Sequence, residues 1–118
     1  MRKLKRSECA VLPLVLKKKW YDMIDRGEKC IEFREASPYW RTRITNWISK
    51  ALTGKTPVLE FQNGYSRWSP RMAFVAGNGE NLLFDYRTAS DPVQHRELGE
   101  FPKDRYCLFI GERVEWEV

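Results

Sequence analysis

The chain has 118 residues, of which 42% are hydrophobic and 31% are charged, and its formal net charge is +5. This length and composition are typical of one globular domain that buries a core without disulfides or metals as supports. No apolar run approaches the roughly 20 residues that a membrane-spanning helix needs, so we expect a cytoplasmic protein with no membrane partner.

The positive charge is unevenly distributed along the chain. Most of the Lys and Arg residues lie in residues 1–59, four of them among the first six residues, whereas residues 60–118 are mildly acidic. A basic half indicates either an anionic partner such as nucleic acid or a solvated basic face, and both interpretations stay open on charge alone.

Cysteine and histidine are too few and too scattered to predict a metal site. Cys9, Cys30 and Cys107 lie far apart, and His95 is the single histidine. This spacing argues against a disulfide framework and against zinc, so we expect no cofactor and no metal. A catalytic Cys–His pair formed by tertiary contact stays open, although buried thiols and a surface histidine are the favoured interpretation.

Predicted strands and helices alternate in the first half of the chain. Residues 1–8 form a basic arm that we expect to be disordered, and residues 11–16 form a buried strand. Residues 17–26 place apolar side chains on one helical face, and Gly27 ends that helix because glycine tolerates a left-handed conformation. A second strand is predicted at 29–34.

A second amphipathic helix is predicted after Ser37, whose hydroxyl caps the helix ahead of a proline at its first position. Apolar side chains recur on one face of this helix as far as Ala51, and that face is expected to pack on the core. Arg41 and Arg43 lie on the opposite face, where they either extend a path for phosphates or form a solvated surface.

Short strands dominate the second half. They are predicted at 58–62, at 72–76, at 82–86 as the hairpin partner of the preceding run, and at 106–116 as one or two closing strands. Residues 87–103 are polar and form a predicted long loop that could cover a site. The pattern predicts the α+β class: a mostly antiparallel, barrel-like sheet of about five to seven strands, with both first-half helices packed on it.

Residues 27–34 interleave charged and apolar side chains. Since successive side chains of a strand point to opposite faces, we expect Ile31 and Phe33 to face the core and Glu32 and Arg34 to share the other face. Lys29, at the entry of the strand, can turn to either side. The charged face is either a surface ladder of ion pairs, which would stabilise the fold little, or a functional site.

The motif Gly27-x-Lys29-x-x-Glu32-x-Arg34 resembles, position by position, the motif of the ASCH family in the PUA-like superfamily. Three further segments are similar to that family, at residues 14–24, 63–66 and 106–111. The resemblance implies a single ASCH domain over residues 9–118, built as a PUA-like pseudo-barrel. It also implies a cleft lined by the motif, with RNA or a modified nucleotide as the ligand.

Two branches of the family imply hydrolase chemistry, one as an amidohydrolase of N4-acetylcytidine and the other as a ribonuclease. In the amidohydrolase branch a threonine nucleophile follows the motif lysine by three residues, and here that position holds Glu32. This departure removes the nucleophile. A small hydrolase acting on nucleic acid or a modified nucleoside, with Lys29 and Glu32 as catalytic residues, is therefore the alternative to a binding domain.

Candidate ligand-binding residues lie in and around the motif. Arg34 offers a planar fork for a phosphate, Lys29 a flexible point charge, and Glu32 an acceptor for a base amino group. The candidates for stacking on a nucleobase, with their polar neighbours, are Tyr39, Trp40, Tyr65, Ser66, Arg67 and Trp68. Trp40 also continues the apolar face of its helix, so core packing is the favoured interpretation there. We expect binding first and catalysis second.

Overall fold

The computed structural model describes residues 1–79, 82–88, 90 and 103–118. Within these ranges the chain forms seven strands and two α-helices. The strands are β1 (Arg2–Leu4), β2 (Cys9–Leu16), β3 (Ile31–Glu35), β4 (Thr56–Asn63), β5 (Arg71–Ala76), β6 (Phe84–Arg87) and β7 (Arg105–Trp116). The helices are α1 (Lys18–Asp25) and α2 (Pro38–Ala51), and a 3-10 turn (Arg6–Glu8) joins β1 to β2.

The long strand β7 organises the sheet, because four other strands pair with it. Its first half pairs antiparallel with β3 and β6, and its second half pairs with β1 and β5. Strand β4 then links β5 to β2. The result is one curled sheet in the order β1-β7-β5-β4-β2, with β3 and β6 attached to the other half of β7.

Gly111 allows β5 and β7 to approach each other where β7 passes between these two halves. A Cβ atom at this position would lie 2.6 Å from the backbone oxygen of Val75 and 3.0 Å from that of Gly77. Every residue other than glycine would therefore push the two strands apart at the register shift between Phe74 and Ala76.

The predicted α+β class is confirmed, since both helices come from the first half of the chain and pack on the sheet. The hydroxyl of Ser37 caps α2 as predicted, accepting from the backbone N–H of Trp40. Trp47 ties the same helix to β2 by donating from Nε1 to the backbone oxygen of Ala10 at 2.9 Å. The sheet is mixed, because β1–β7 and β2–β4 are parallel and the other four pairs are antiparallel.

Two apolar cores lie on opposite faces of the sheet, because adjacent residues of β4 contribute to different cores. The main core fills the space between the sheet and the helices and includes Leu14, Ile44, Trp47, Phe61, Phe74 and Leu108. The smaller core lies beneath β1 and consists of Cys9, Val58, Ala73 and Val114, flanked by Leu4, Val11, Val75 and Trp116.

The structure differs from the sequence-based prediction at residues 1–8, which form β1 and the 3-10 turn instead of a disordered arm. Strand β1 pairs parallel with the end of β7. Arg6 then holds Glu60 with two hydrogen bonds of 2.7 and 3.0 Å, and Trp116 Nε1 donates to the same carboxylate at 2.8 Å. A three-residue edge strand between charged residues has no apolar periodicity, so the sequence carries no signal for it.

A second difference concerns the strand predicted at 82–86, which is not the hairpin partner of β5. Strand β6 instead pairs antiparallel with β7, with Phe84 opposite Leu108. Gly77 has φ +136° and Gly79 has φ +84°, conformations that turn the chain away from β5, whose neighbours in the sheet are β4 and β7. The run predicted as one or two closing strands is the single strand β7. Most of the loop predicted at 87–103 lies outside the described residues.

Candidate functional site

The motif begins where α1 ends. Gly27 adopts φ +76°, the left-handed conformation that glycine favours. The backbone N–H groups of Glu28 and Lys29 then both donate to the backbone oxygen of Met23, at 2.9 and 3.2 Å. These bonds end helix α1 and direct the chain into β3. They thereby fix the point at which the Lys29 side chain enters the interior.

Lys29, Glu32 and Arg34 form one hydrogen-bonded group, called here the charged cluster. Lys29 Nζ donates to Glu32 Oε1 at 2.6 Å and to the backbone oxygen of Ile31 at 2.6 Å. Arg34 donates from Nε and Nη2 to Glu32 Oε2 at 3.0 and 2.8 Å, and from Nη2 to the backbone oxygen of Val15 at 3.0 Å. The central carboxylate is therefore shared by two cations.

The charged cluster lies on the core face of β3, which reverses the expected orientation of the strand. Glu32 lies opposite Leu108 of the main core, and residues directly opposite in a sheet point to the same face. Ile31 and Phe33 are half-buried on the other face. Strand alternation shows which side chains share a face, but it does not show which face a curled sheet will bury.

Burial excludes a surface ladder of ion pairs as an explanation of the motif. The side chain of Lys29 is only 1% exposed and that of Glu32 only 8%. Buried charges persist when each has partners of opposite charge and hydrogen bonds that replace water. Here the cluster supplies both, and its two cations and one carboxylate leave one excess positive charge at the edge of the core.

A concave cleft of about 570 Å³ opens beside the cluster, between the end of β2, the start of α1, strand β3 and the turn after β4. It is lined by Val15, Leu16, Lys17, Trp20, Glu32, Phe33, Arg34, Glu35, Gly64 and Tyr65. Its volume falls within the roughly 300–1,000 Å³ that small-molecule sites occupy. The cleft is thus large enough for a small planar ligand, with charged groups at its floor and aromatic side chains in its walls.

Arg34 is the cation of the charged cluster that lines this cleft. Its guanidinium carbon lies over the Trp40 ring, 4.7 Å from the ring centroid. Within the described part of the chain, Nη1 of Arg34 has no protein acceptor, whereas Nε and Nη2 are both bonded to Glu32. The free nitrogen can donate to a phosphate or a carbonyl oxygen of a ligand.

Glu32 keeps some capacity to accept a hydrogen bond. A carboxylate has about four acceptor positions, and Lys29 and Arg34 together fill three of them. The remaining position, on Oε1, can accept from an amino group of a base. The cleft is thus lined by a carboxylate with one unfilled acceptor position and by an arginine, together with the aromatic residues Trp20, Phe33 and Tyr65.

The predicted binding residues fall into four groups, the last of which is formed by the aromatic residues of α2. Glu32, Arg34 and Tyr65 line the cleft. Lys29 lies beneath them, and Ser66 and Arg67 continue the turn that carries Tyr65.

The aromatic candidates at the start of α2 do not line the cleft. Trp40 packs against Arg34 and also contacts the main core, in line with the favoured interpretation of it as a core residue. Tyr39 makes an edge contact with the Trp40 ring and lies under Arg43, whose guanidinium carbon is 4.4 Å from the tyrosine ring centroid. Of these two aromatic residues, Trp40 packs directly on the Arg34 guanidinium, and Tyr39 contacts Trp40.

Sequence reasoning missed Trp20 and Lys17. The helical pattern placed Trp20 on the apolar face of α1, yet its side chain is half-buried and lines the cleft. The sequence did carry a signal for these two residues. A run of three lysines and a tryptophan directly follows β2, and this position brings cations and an aromatic ring to the end of that strand.

The described residues show no group suited to metal chemistry, and of the three free cysteines, which were expected to be buried, Cys30 is exposed. The described part of the chain contains no cluster of three or more His, Cys, Asp and Glu side chains that could hold a metal ion. Burial raises the pKa of both the Cys9 and the Cys107 thiols, which keeps them protonated and unreactive. His95 lies outside the described residues.

Comparisons with known proteins add no relative. The chain matches no protein-family model, no curated protein and no solved structure at a significant level. Among the described residues, no helix is long and apolar enough to cross a membrane.

Proposed function

We propose that this protein binds RNA or a modified nucleotide, with a nucleobase in the cleft. The observation that carries the proposal is that Arg34 and Glu32 line a cleft together with Trp20 and Tyr65, and that Nη1 of Arg34 has no acceptor among the described residues. A base offers what this arrangement needs: a flat ring for the aromatic walls, and donors and acceptors along one edge.

The motif resemblance supports the same proposal from a separate direction. A curled mixed sheet with two first-half helices fits a PUA-like pseudo-barrel, and two of the four motif residues, Glu32 and Arg34, line the cleft. We therefore propose that residues 9–118 form an ASCH domain.

Binding has more support than hydrolysis. A catalytic Lys29 would have to contact the ligand, but it is buried, outside the cleft lining and bonded to both Ile31 and Glu32. Glu32 is likewise held by two cations. The position where the amidohydrolase branch has its threonine is occupied by this carboxylate, so the amidohydrolase form of the alternative lacks its nucleophile.

Fluorescence anisotropy with labelled single-stranded RNA at low salt tests the proposal. Arg34→Gln removes the cation and its free donor while Glu32 keeps its bond to Lys29, and we expect affinity to fall about tenfold, or about 1.4 kcal/mol. Arg113→Gln is the matched control, because Arg113 also pairs with a carboxylate, Asp25, and lies over an aromatic ring.

The control variant should bind like the parent. Circular dichroism and thermal unfolding of both variants show whether the fold is intact. A parent protein that binds no RNA or nucleotide at low salt, or an Arg34→Gln variant that binds as well as the parent, contradicts the proposal.

A further inference from the structure

The turn at residues 63–70, called here the aromatic turn, exposes two large aromatic side chains beside the cleft. Tyr65 is 91% exposed and Trp68 is 81% exposed. Single apolar residues on a protein surface are common, but two aromatic rings on one short turn form a patch that favours a partner. Tyr65 also lines the cleft, so the patch and the cleft are continuous.

The aromatic turn is held in one conformation by side-chain hydrogen bonds. Gln62 Nε2 donates to the backbone oxygens of Gly64 and Ser66, both at 2.8 Å. Arg71 in turn donates to Gln62 Oε1 at 3.2 Å and to the backbone oxygen of Arg67 at 3.4 Å. One side chain from each flanking strand, β4 and β5, therefore holds the backbone of the turn in place.

Backbone bonds add to this rigidity and tie the turn to the cleft. Ser69 donates to the backbone oxygen of Ser66 at 2.9 Å, and Asn63 donates to that of Pro70 at 3.0 Å. Gly64 donates to the backbone oxygen of Leu16, a lining residue of the cleft, at 3.0 Å. A rigid turn presents its aromatic rings without the ordering cost that a flexible loop would add on binding.

The charges around the aromatic turn favour a polyanion. Residues 63–70 contain no Asp or Glu, and Arg67 lies over the Trp68 ring with its guanidinium carbon 4.8 Å from the centroid. Lys17 lines the neighbouring cleft. Alternating aromatic and cationic groups are the arrangement that single-stranded nucleic acids require, since the bases stack and the phosphates pair with the cations.

We infer that the aromatic turn is a second stacking platform, so that the ligand is a single-stranded nucleic acid of two or more nucleotides. This inference rests on the proposed function. One base occupies the cleft against Tyr65, and a neighbouring base stacks on Trp68 while Arg67 pairs with a phosphate. A duplex cannot use this surface, because its bases are stacked on one another and their faces are covered.

The test compares ligands of different length on one protein. Affinities are measured for ribonucleoside monophosphates, for single-stranded RNA of two to eight nucleotides, and for an RNA duplex. We expect affinity to rise from the monophosphates to the short oligonucleotides. Trp68→Ala should lower oligonucleotide affinity about tenfold, or about 1.4 kcal/mol, and leave monophosphate affinity unchanged.

Two further variants keep this test specific. Trp68→Phe retains a ring for stacking and should restore most of the lost affinity. Leu52→Ala is the control, because Leu52 is 82% exposed and does not line the cleft. It should bind every ligand like the parent. Since Trp68 is exposed, its variants are expected to keep the fold, which circular dichroism verifies.

Three outcomes overturn the inference and leave the proposed function standing: monophosphates that bind as tightly as oligonucleotides, a Trp68→Ala variant that binds oligonucleotides like the parent, or a duplex bound as well as the single strand. If the aromatic turn binds anionic lipid vesicles through Trp68 instead of RNA, the turn is a membrane-binding surface, and the inference is also overturned. If no nucleotide or RNA binds at all, the proposed function fails with it.

Discussion

At the residue scale, the unusual feature of this small domain is a buried lysine. Lys29 is almost fully buried, and its ammonium group is held by one carboxylate and one backbone oxygen. Its contribution is to fix the orientation of Glu32, which in turn fixes the fork of Arg34. A cation in this position stabilises the fold only while its partner remains charged and close.

A comparison of two lysines tests that description. Lys29→Met leaves Glu32 with Arg34 as its one cationic partner, and we expect the free energy of unfolding to fall by about 2–4 kcal/mol. Lys18→Met is the matched control, because Lys18 also pairs with a carboxylate on its own segment, Asp22, but on the exposed surface of α1. Its expected cost is below about 1 kcal/mol.

Urea unfolding monitored by tryptophan fluorescence measures both effects. Equal, small losses in the two variants would mean that Lys29 is not held as the structure describes.

At the scale of elements, the first eight residues are attached to the sheet by a polar contact as well as by strand pairing. Glu60 accepts from Arg6 and from Trp116, and the smaller core lies beneath the same segment. Burial acts to raise the pKa of Glu60, but the hydrogen bonds from Arg6 and Trp116 outweigh it and hold the pKa below the ordinary 4.5.

The direction of this shift predicts a pH dependence of stability. Because the pKa of Glu60 is lower in the folded chain than in the unfolded chain, its stabilising contribution is complete above about pH 4.5 and is lost as the pH falls through the folded pKa. Glu60→Gln should lower the free energy of unfolding at pH 7 by about 1–3 kcal/mol.

The same variant should show a smaller further loss than the parent between pH 4.5 and pH 3. Denaturant unfolding at a series of pH values measures this difference. Parallel pH profiles for the two proteins would contradict the assignment of the effect to Glu60.

The sequence predicted those elements whose signals are local. Helix α2 carries a cap, a proline and a long apolar face, and the structure begins it at the predicted residue. The strand pairing of β6 depends instead on which sheet edge is available after the turn at Gly77, and β1 is recognisable only by its contact with β7. The motif was found from its spacing, but the inward orientation of Glu32 follows from the curl of the sheet and could not be read from alternation.

At the scale of the whole molecule, the basic first half of the chain contributes cations to the rim of the cleft. Lys17 lines the cleft at the end of β2, whereas Lys55 precedes β4 at the opposite end of the same strand pair. When a nucleic acid binds, a lysine or arginine displaces its counterions only if that side chain lies near one of the bound phosphates. The salt dependence of binding therefore reports where the phosphates lie.

Replacing these two lysines separates local from general electrostatics. Lys17→Gln should reduce the slope of log affinity against log salt concentration by about 0.7, the value for one phosphate contact of a single strand. Lys55→Gln, the control, should leave the slope unchanged. Anisotropy titrations at four or five salt concentrations provide the slopes, and an equal change for both lysines would place the RNA elsewhere or describe non-specific attraction.

The five tryptophans provide the most direct test of the cleft as the binding site. Trp20 lines the cleft and Trp68 lies on the aromatic turn, whereas the indole N–H groups of Trp47 and Trp116 donate to Ala10 and Glu60 away from it. In an NMR titration of the ¹⁵N-labelled protein with a short single-stranded RNA, binding in the cleft predicts that the indole signals of Trp20 and Trp68 shift while those of Trp47 and Trp116 stay in place. A titration that leaves the Trp20 signal unmoved, or that moves the Trp116 signal instead, would contradict it.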